Sequence, residues 1–156
     1  MKYLVVFLIS MVPVIELRGG IPFGLSPAMG GALDLIPLYI VAIIGNMLPV
    51  PFIFFFERKI LVWGSNRNWS KGFKWLLNKG EKLGQKITEK ADASAYIALL
   101  LFVGIPLPGT GAWTGTLAAS ILDLDFKKSS IAVMLGVILA GIIMGFASAS
   151  IFSLVF

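Results

Sequence analysis

The sequence predicts an all-α integral membrane protein made of two inverted repeats, each a re-entrant helical hairpin plus one transmembrane helix, joined by an amphipathic cytoplasmic helix. Three observations carry that prediction. First, 58% of the 156 residues are hydrophobic and only 13% are charged, against about 45–50% and 25% in a soluble domain. Mean hydropathy is +0.92, and surface-to-volume scaling gives so small a globule no interior able to hide this much apolar surface. Second, the apolar blocks differ in length: Leu35 to Phe56 and Ile131 to Phe156 pass the test of about 20 residues for a spanning helix, whereas Tyr3 to Ile15 crosses only half a bilayer. Third, Gly20-Ile21-Pro22-Phe23-Gly24 is echoed by Gly104-Ile105-Pro106-Leu107-Pro108-Gly109, and Ala32-Leu33-Asp34-Leu35 by Ile121-Leu122-Asp123-Leu124. An odd number of spans per repeat makes the second copy start from the opposite face.

Residues 1–156 are read as a single membrane domain, and the elements follow in order. The first hairpin is expected at about residues 3–33, turning through Glu16, Arg18, Gly19-Gly20 and Pro22. A charged end such as Glu16-Leu17-Arg18 is no small-residue cleavage site, so the opening block is read as part of the fold. The first span follows at about 35–56, with Asn46, Pro49 and Pro51 inside it; a kink there would line a path or only adjust packing. The stretch 57–94 reads as a turn at Gly64-Ser65-Asn66, a cap at Ser70 and a surface helix with Phe73, Leu76, Leu77, Leu83 and Ile87 on one face. Nine of the 13 basic residues lie between Arg58 and Lys90, which places this linker in the cytoplasm. The second hairpin is expected at about 95–122, broken by Pro106-Leu107-Pro108-Gly109-Thr110-Gly111, and the last span at about 129–155. Hairpin 1 then enters from outside and hairpin 2 from the cytoplasm, with Lys127 and Lys128 inside; Lys2 alone fits a plain four-span arrangement better. Asp34, Asp123 and Asp125 read as turn or capping residues. Gly141 and Gly145 form a small-residue ridge suited to helix packing, which is also the face expected for a homodimer.

Function classes narrow sharply. There is no cysteine and no histidine, which excludes disulfides, thiolate nucleophiles, His-bound zinc and a Ser-His-Asp triad. No catalytic residue, metal or cofactor is expected, and the net charge of +5 points to membrane lipids rather than nucleic acid. Ionisable residues at membrane depth pair with each other or serve an ion or substrate path. Glu16 is therefore a candidate proton site and Arg18 a candidate ligand for an anionic head group, or the two form a satisfied internal pair. Gly109, Thr110, Gly111, Trp113 and Thr114 mark the second site segment, where the half-helix beginning near Thr110 turns its free N–H groups and positive dipole end toward the membrane centre. The first hairpin is expected to do the same near Ile21–Gly24. The bland alternative for the individual glycines is close helix packing.

The runs Pro13-x-x-Glu16-Leu17-Arg18-Gly19-Gly20-Ile21-Pro22 and Pro106-Leu107-Pro108-Gly109-Thr110-Gly111-Ala112-Trp113-Thr114-Gly115 resemble the two signatures of the small multidrug export protein family, which is itself similar to the DedA-like membrane proteins. That resemblance implies a prokaryotic inner-membrane protein with opposed re-entrant hairpins, a transport role coupled to protons, and a small amphipathic or lipid-phosphate substrate. Phe102 to Pro108 contains no arginine, so one cationic contact of the DedA-like pattern is missing. Multidrug efflux of amphipathic cations and a non-transporting structural or assembly role are the competing readings.

Overall fold

A computed structural model of the chain describes residues 1–13, 15–30, 33–66 and 93–155. Every regular element among them is helical: α1 (Lys2–Met11), α2 (Glu16–Leu25), a 3-10 turn (Pro27–Met29), α3 (Leu35–Met47), α4 (Pro49–Asn66), α5 (Ser94–Gly104), α6 (Ala112–Ile121) and α7 (Phe126–Val155). Leu48 keeps helical angles and its N–H donates to the Ile44 carbonyl at 3.0 Å, so α3 and α4 run on as one bent rod. The break falls where Pro49 and Pro51 remove backbone donors. Leu35–Phe56, with 22 residues, and Phe126–Ile151, with 26, are long and apolar enough to cross a membrane.

The remaining short helices pair off. Pro13 cannot continue α1, and α1 and α2 fold back on each other. The Lys2 ammonium lies beside Gly30, so both outer ends of this pair are on one side. In the second pair the Asp125 N–H donates to the Tyr96 hydroxyl at 3.3 Å and the Lys128 ammonium sits 5.8 Å from the Tyr96 ring, again bringing the outer ends together. The long rods run antiparallel: Tyr39 at the start of α3 donates to the Gly141 carbonyl at 3.0 Å, while the Phe54 ring near the other end is 5.1 Å from that of Phe126. Ser120, at the outer end of α6, donates to the Phe54 carbonyl at 3.2 Å. The two pairs therefore open at opposite ends of the rods, and α2 packs on α7 while α6 packs on α4.

Glycine sets the closest approaches. A Cβ on Gly45 would stand 2.6 Å from the Phe7 carbonyl of α1, and one on Gly136 would stand 2.7 Å from the Leu100 carbonyl of α5. Each glycine lies eleven residues after the aspartate that precedes its helix, Asp34 or Asp125. One hydrophobic core joins both halves, from Val6, Leu17, Ile21 and Leu38 to Val103, Ala112, Val133 and Val137. The surface inverts the soluble pattern: Leu4, Ile36, Phe52, Ile97, Ile131 and Phe146 are 48–76% exposed, while Ser10, Glu16, Asn46, Thr116 and Ser120 are buried. Lipid is the solvent for such an outside.

Several local expectations change. The first turn comes between the end of α1 at Met11 and the start of α2 at Glu16, not at 16–22, because Gly19, Gly20 and Pro22 sit inside α2. Gly20 is there for packing: a Cβ would strike the Ser10 hydroxyl of α1. Gly64-Ser65-Asn66 is the end of α4 rather than a turn, since a helix already nucleated in the apolar rod absorbs the modest cost of one glycine. The echoed glycine strings do not occupy matching places, one lying within α2 and the other across the end of α5 and its turn. Gly141 and Gly145 face Tyr39 of the same chain, so that ridge is filled from within and is no free face for a second copy. Ser70 and the amphipathic helix expected through Phe73–Ile87 lie outside the described residues.

Candidate functional site where the two helix pairs meet

The turns of the two pairs interlock through four helix ends. Glu16 stands at the start of α2 with φ of +52°, a conformation that costs a non-glycine residue on the order of 1–3 kcal/mol and persists only where the surroundings impose it. Its carboxylate is buried, 4% exposed, and points across to the other pair. There it accepts the Ala112 N–H on Oε2 at 3.2 Å and the Trp113 N–H on Oε1 at 3.1 Å. Those are the donors that the first turn of α6 cannot satisfy within itself, at the positive end of that helix's dipole. Gly111 makes the approach feasible. Its φ is +146°, and a Cβ there would run into both carboxylate oxygens.

Arg18 does the complementary job at the end of α5. Its Nη1 donates to the Leu107 carbonyl at 2.6 Å, and its Nη2 faces the Val103 and Ile105 carbonyls at 3.2 and 3.4 Å and the Thr110 hydroxyl oxygen at 2.8 Å. Val103 is in the last turn of α5, at the negative end of that helix. The Ile105 and Leu107 carbonyls belong to the turn that follows and also accept the Leu107 and Thr110 N–H groups. A guanidinium fork spans all three at once. Thr110 Oγ1 also accepts the Leu107 N–H at 3.3 Å and lies 2.9 Å from the Ile105 and Leu107 carbonyls, one of which takes its proton. The third clasp runs the other way: the Trp113 indole Nε1–H donates to the Met11 carbonyl at the end of α1 at 3.3 Å.

Glu16 and Arg18 do not bond each other; every hydrogen bond of either side chain goes to the second pair. Residues two apart on a helix point to different sides, which is why. Of the expected site residues, the structure gathers Glu16, Arg18, Thr110, Gly111 and Trp113 into one cluster. Pro106, Pro108 and Gly109 shape the turn below it, Gly109 with φ of +81° and open space around it. Thr114 is exposed and its hydroxyl lies 3.4 Å from the Gly111 carbonyl. Gly19, Gly20 and Pro22 sit along α2 away from the clasp. Asn46 is fully buried on α3 and neither of its amide atoms has a hydrogen-bond partner.

Sequence reasoning missed Ala112 and Met11 because each contributes only backbone. Pro13 was the available signal for Met11, since a proline there ends α1 and leaves carbonyls to be capped. The anion place at the start of α6 was expected for a substrate; in this arrangement Glu16 fills it. Among the described residues no group of three or more Asp and Glu gathers as a metal site.

Comparison with known proteins adds one match. The family model described as "Putative small multi-drug export protein" matches residues 16–143. No curated protein and no solved structure matches.

Proposed function

The chain belongs to the small multi-drug export family, whose model covers well over half of it, and from that premise we propose that it is a proton-coupled carrier of amphipathic solutes in the prokaryotic inner membrane. Its two helix pairs are re-entrant hairpins of an inverted repeat, with a relationship to the DedA-like proteins. The basic linker lies in the cytoplasm, and any second copy docks through a face other than the Gly141/Gly145 ridge.

One observation carries the reading: a buried Glu16 carboxylate on the first hairpin holds two backbone N–H groups of the second. Hydrogen bonds to a charged acceptor are roughly twice as strong as neutral ones. The clasp is therefore strong while Glu16 is ionised and weak once it takes a proton. Protonation loosens the α6 end, and solute passes the hairpin tips before the carboxylate closes them again. Arg18 keeps the α5 turn in shape throughout, since its donors already face four acceptors.

Two solute classes follow from the same geometry. An amphipathic cation pairs with Glu16 as the released carboxyl gives up its proton, an exchange of cation for proton in keeping with the family's description. A lipid phosphate takes the place that Glu16 vacates at the α6 N-terminus, a site that suits any anion. Proteoliposomes loaded with a cationic dye or with a polyprenyl phosphate separate the two. Glu16→Gln is expected to abolish flux driven by a pH gradient with either solute, while the polyprenyl phosphate still raises the melting temperature and the cation, having lost its carboxylate, does not. Gradient-driven flux unchanged in Glu16→Gln would remove Glu16 as the coupling group. The competing reading is that Glu16, Arg18 and Trp113 are static fasteners, favoured by the fact that each is satisfied inside the fold. It predicts no flux in the unaltered protein with either substrate.

A further inference from the structure

Two grooves of nearly equal size open on the outside of the molecule, toward opposite ends of α7. One, of about 470 Å³, lies beside Tyr39, Gly145 and Phe146 and is lined by no charged residue. The other, of about 480 Å³, lies between α5 and the first turns of α7 and includes Lys128. Both volumes fall within the range of about 300–1,000 Å³ usual for small-molecule sites, so charge rather than size separates them.

The packing of its walls shapes the charged groove. α5 and α7 both start at this end and close on each other deeper in, where a Cβ on Gly136 would stand 2.7 Å from the Leu100 carbonyl and one on Gly104 would stand 2.7 Å from the Leu139 side chain. One turn nearer the mouth, α7 contributes Ala132, a buried methyl, while Ile97 of α5 and Ile131 and Leu135 of α7 are 45–54% exposed along the rims. Lys128 and Leu135 are two helical turns apart, about 10 Å along the axis, so the slot runs lengthwise down a rod long enough to span. At the mouth the polar groups fix one another. The Asp125 N–H donates to the Tyr96 hydroxyl at 3.3 Å, the Asp125 carboxylate accepts the Lys128 backbone N–H at 2.9 Å, and the exposed Lys128 ammonium stands 5.8 Å from the centre of the Tyr96 ring. Asp125 is thereby used as a cap for α7, and the ammonium rests on the ring above the slot.

An apolar slot running down a span, with a cation and a tyrosine at its interfacial end, fits a molecule that carries a hydrocarbon chain below and a negative charge above. We propose that the groove seats an anionic phospholipid of the leaflet at the Lys128 end, one acyl chain lying along Ile97, Ile131 and Leu135 and the phosphate meeting the Lys128 ammonium. The Tyr96 ring then lies at head-group depth, where aromatic side chains are enriched. The chain's own linker is the nearest competing occupant, and charge argues against it: nine of the 13 basic residues lie between Arg58 and Lys90, so it brings like charge to Lys128. Neither Glu16 nor Arg18 lines the groove. The lipid is therefore a resident that ties α5 to α7, not the cargo, and the proposal goes beyond the carrier reading.

The full chain in a mild detergent is titrated with dioleoyl phosphatidylglycerol and with dioleoyl phosphatidylcholine, which share acyl chains and differ in net charge. Apparent affinity is read from the rise in melting temperature. Phosphatidylglycerol should bind at least about fivefold tighter, the factor one lysine contributes at an anionic surface. Lys128→Gln should erase that preference and Lys128→Arg retain it, while Lys127→Gln, which removes the same charge one residue away and outside the groove, should leave it in place. Leu135→Trp, which fills the slot from its rim, should weaken phosphatidylglycerol as Lys128→Gln does. Glycerol 1-phosphate, a head group without chains, should give no shift; a shift equal to the lipid's would make this a site for free phosphate and overturn the proposal. Equal affinity for the two lipids also overturns it, leaving the groove to the linker or a second copy, and so do equal losses in Lys127→Gln and Lys128→Gln, which mean diffuse surface charge. None of these results bears on the Glu16→Gln flux experiment, so the lipid seat and the coupling group are judged separately.

Discussion

At the scale of single residues, the site is a set of charges placed on helix ends. The sequence displayed Glu16 and Arg18 plainly, because two ionisable residues in an apolar block are costly enough to need a reason. Their partners were not legible, since all but the Thr110 hydroxyl are main-chain groups, the Ala112 N–H being 96 residues away. This geometry changes what a double mutant should do. A mutual ion pair would strand one charge in each single mutant, at about 3–5 kcal/mol, and the double would recover. Glu16 and Arg18 hold separate targets, so Glu16→Gln and Arg18→Gln should each lose about 1.5–3 kcal/mol, the worth of hydrogen bonds to charged groups, with no recovery in the double. Urea or thermal unfolding of the three proteins in one detergent measures this. Gly111 supplies a sharper case: Gly111→Ala meets both a positive φ and the carboxylate itself, so its loss should shrink when Glu16 is also cut to Ala, a coupling that independent sites would not show.

Elements were legible in proportion to how much of their signal lay in their own sequence. The two spans and the second turn were found where length and a Pro/Gly run decide the matter: α5 ends just before that run and α6 begins just after it. The first turn was misplaced because glycine has two uses that look alike in a sequence. Gly19 and Gly20 serve close packing in α2, and the turn-making residue is Pro13. The same ambiguity hid the better signature of the repeat, the matched pair Gly45 and Gly136, each one set against a carbonyl of the preceding helix pair. A graded prediction follows. Gly45→Ala and Gly136→Ala put a methyl against backbone that cannot rotate aside, and each should cost about 1–3 kcal/mol. Gly109→Ala has open space and only an unfavourable φ, so it should cost about 1–2 kcal/mol, less than the two packed glycines. Melting temperatures in detergent rank the three, and Gly109→Ala as the worst would refute the packing account.

For the whole molecule, the question is which end of each pair faces which side of the membrane. The contacts leave little freedom. Tyr39 on Gly141 and Phe54 on Phe126 make the two rods antiparallel, and each helix pair brings its outer ends back to one end of the rods. If the rods span the bilayer, Asp34 and Lys127 must lie at opposite faces, because Asp34 precedes the first residue of one rod and Lys127 is in the first turn of the other. A plain four-span chain, in which α1–α2 and α5–α6 each crossed fully, would need α1 and α5 to be twice as long as their 10 and 11 residues. On the topology proposed above, the positive charge at Lys127 and Lys128 puts that end in the cytoplasm. Cysteines at 34 and 127 in whole cells should therefore label from opposite sides with a membrane-impermeant maleimide, 34 from outside and 127 only after the cells are opened. Labelling of both from one side would require the rods to be parallel, and the Tyr39 hydroxyl would then have no path to the Gly141 carbonyl. The labelling pattern thus tests the antiparallel arrangement on which the clasp and the proposed inverted repeat both depend.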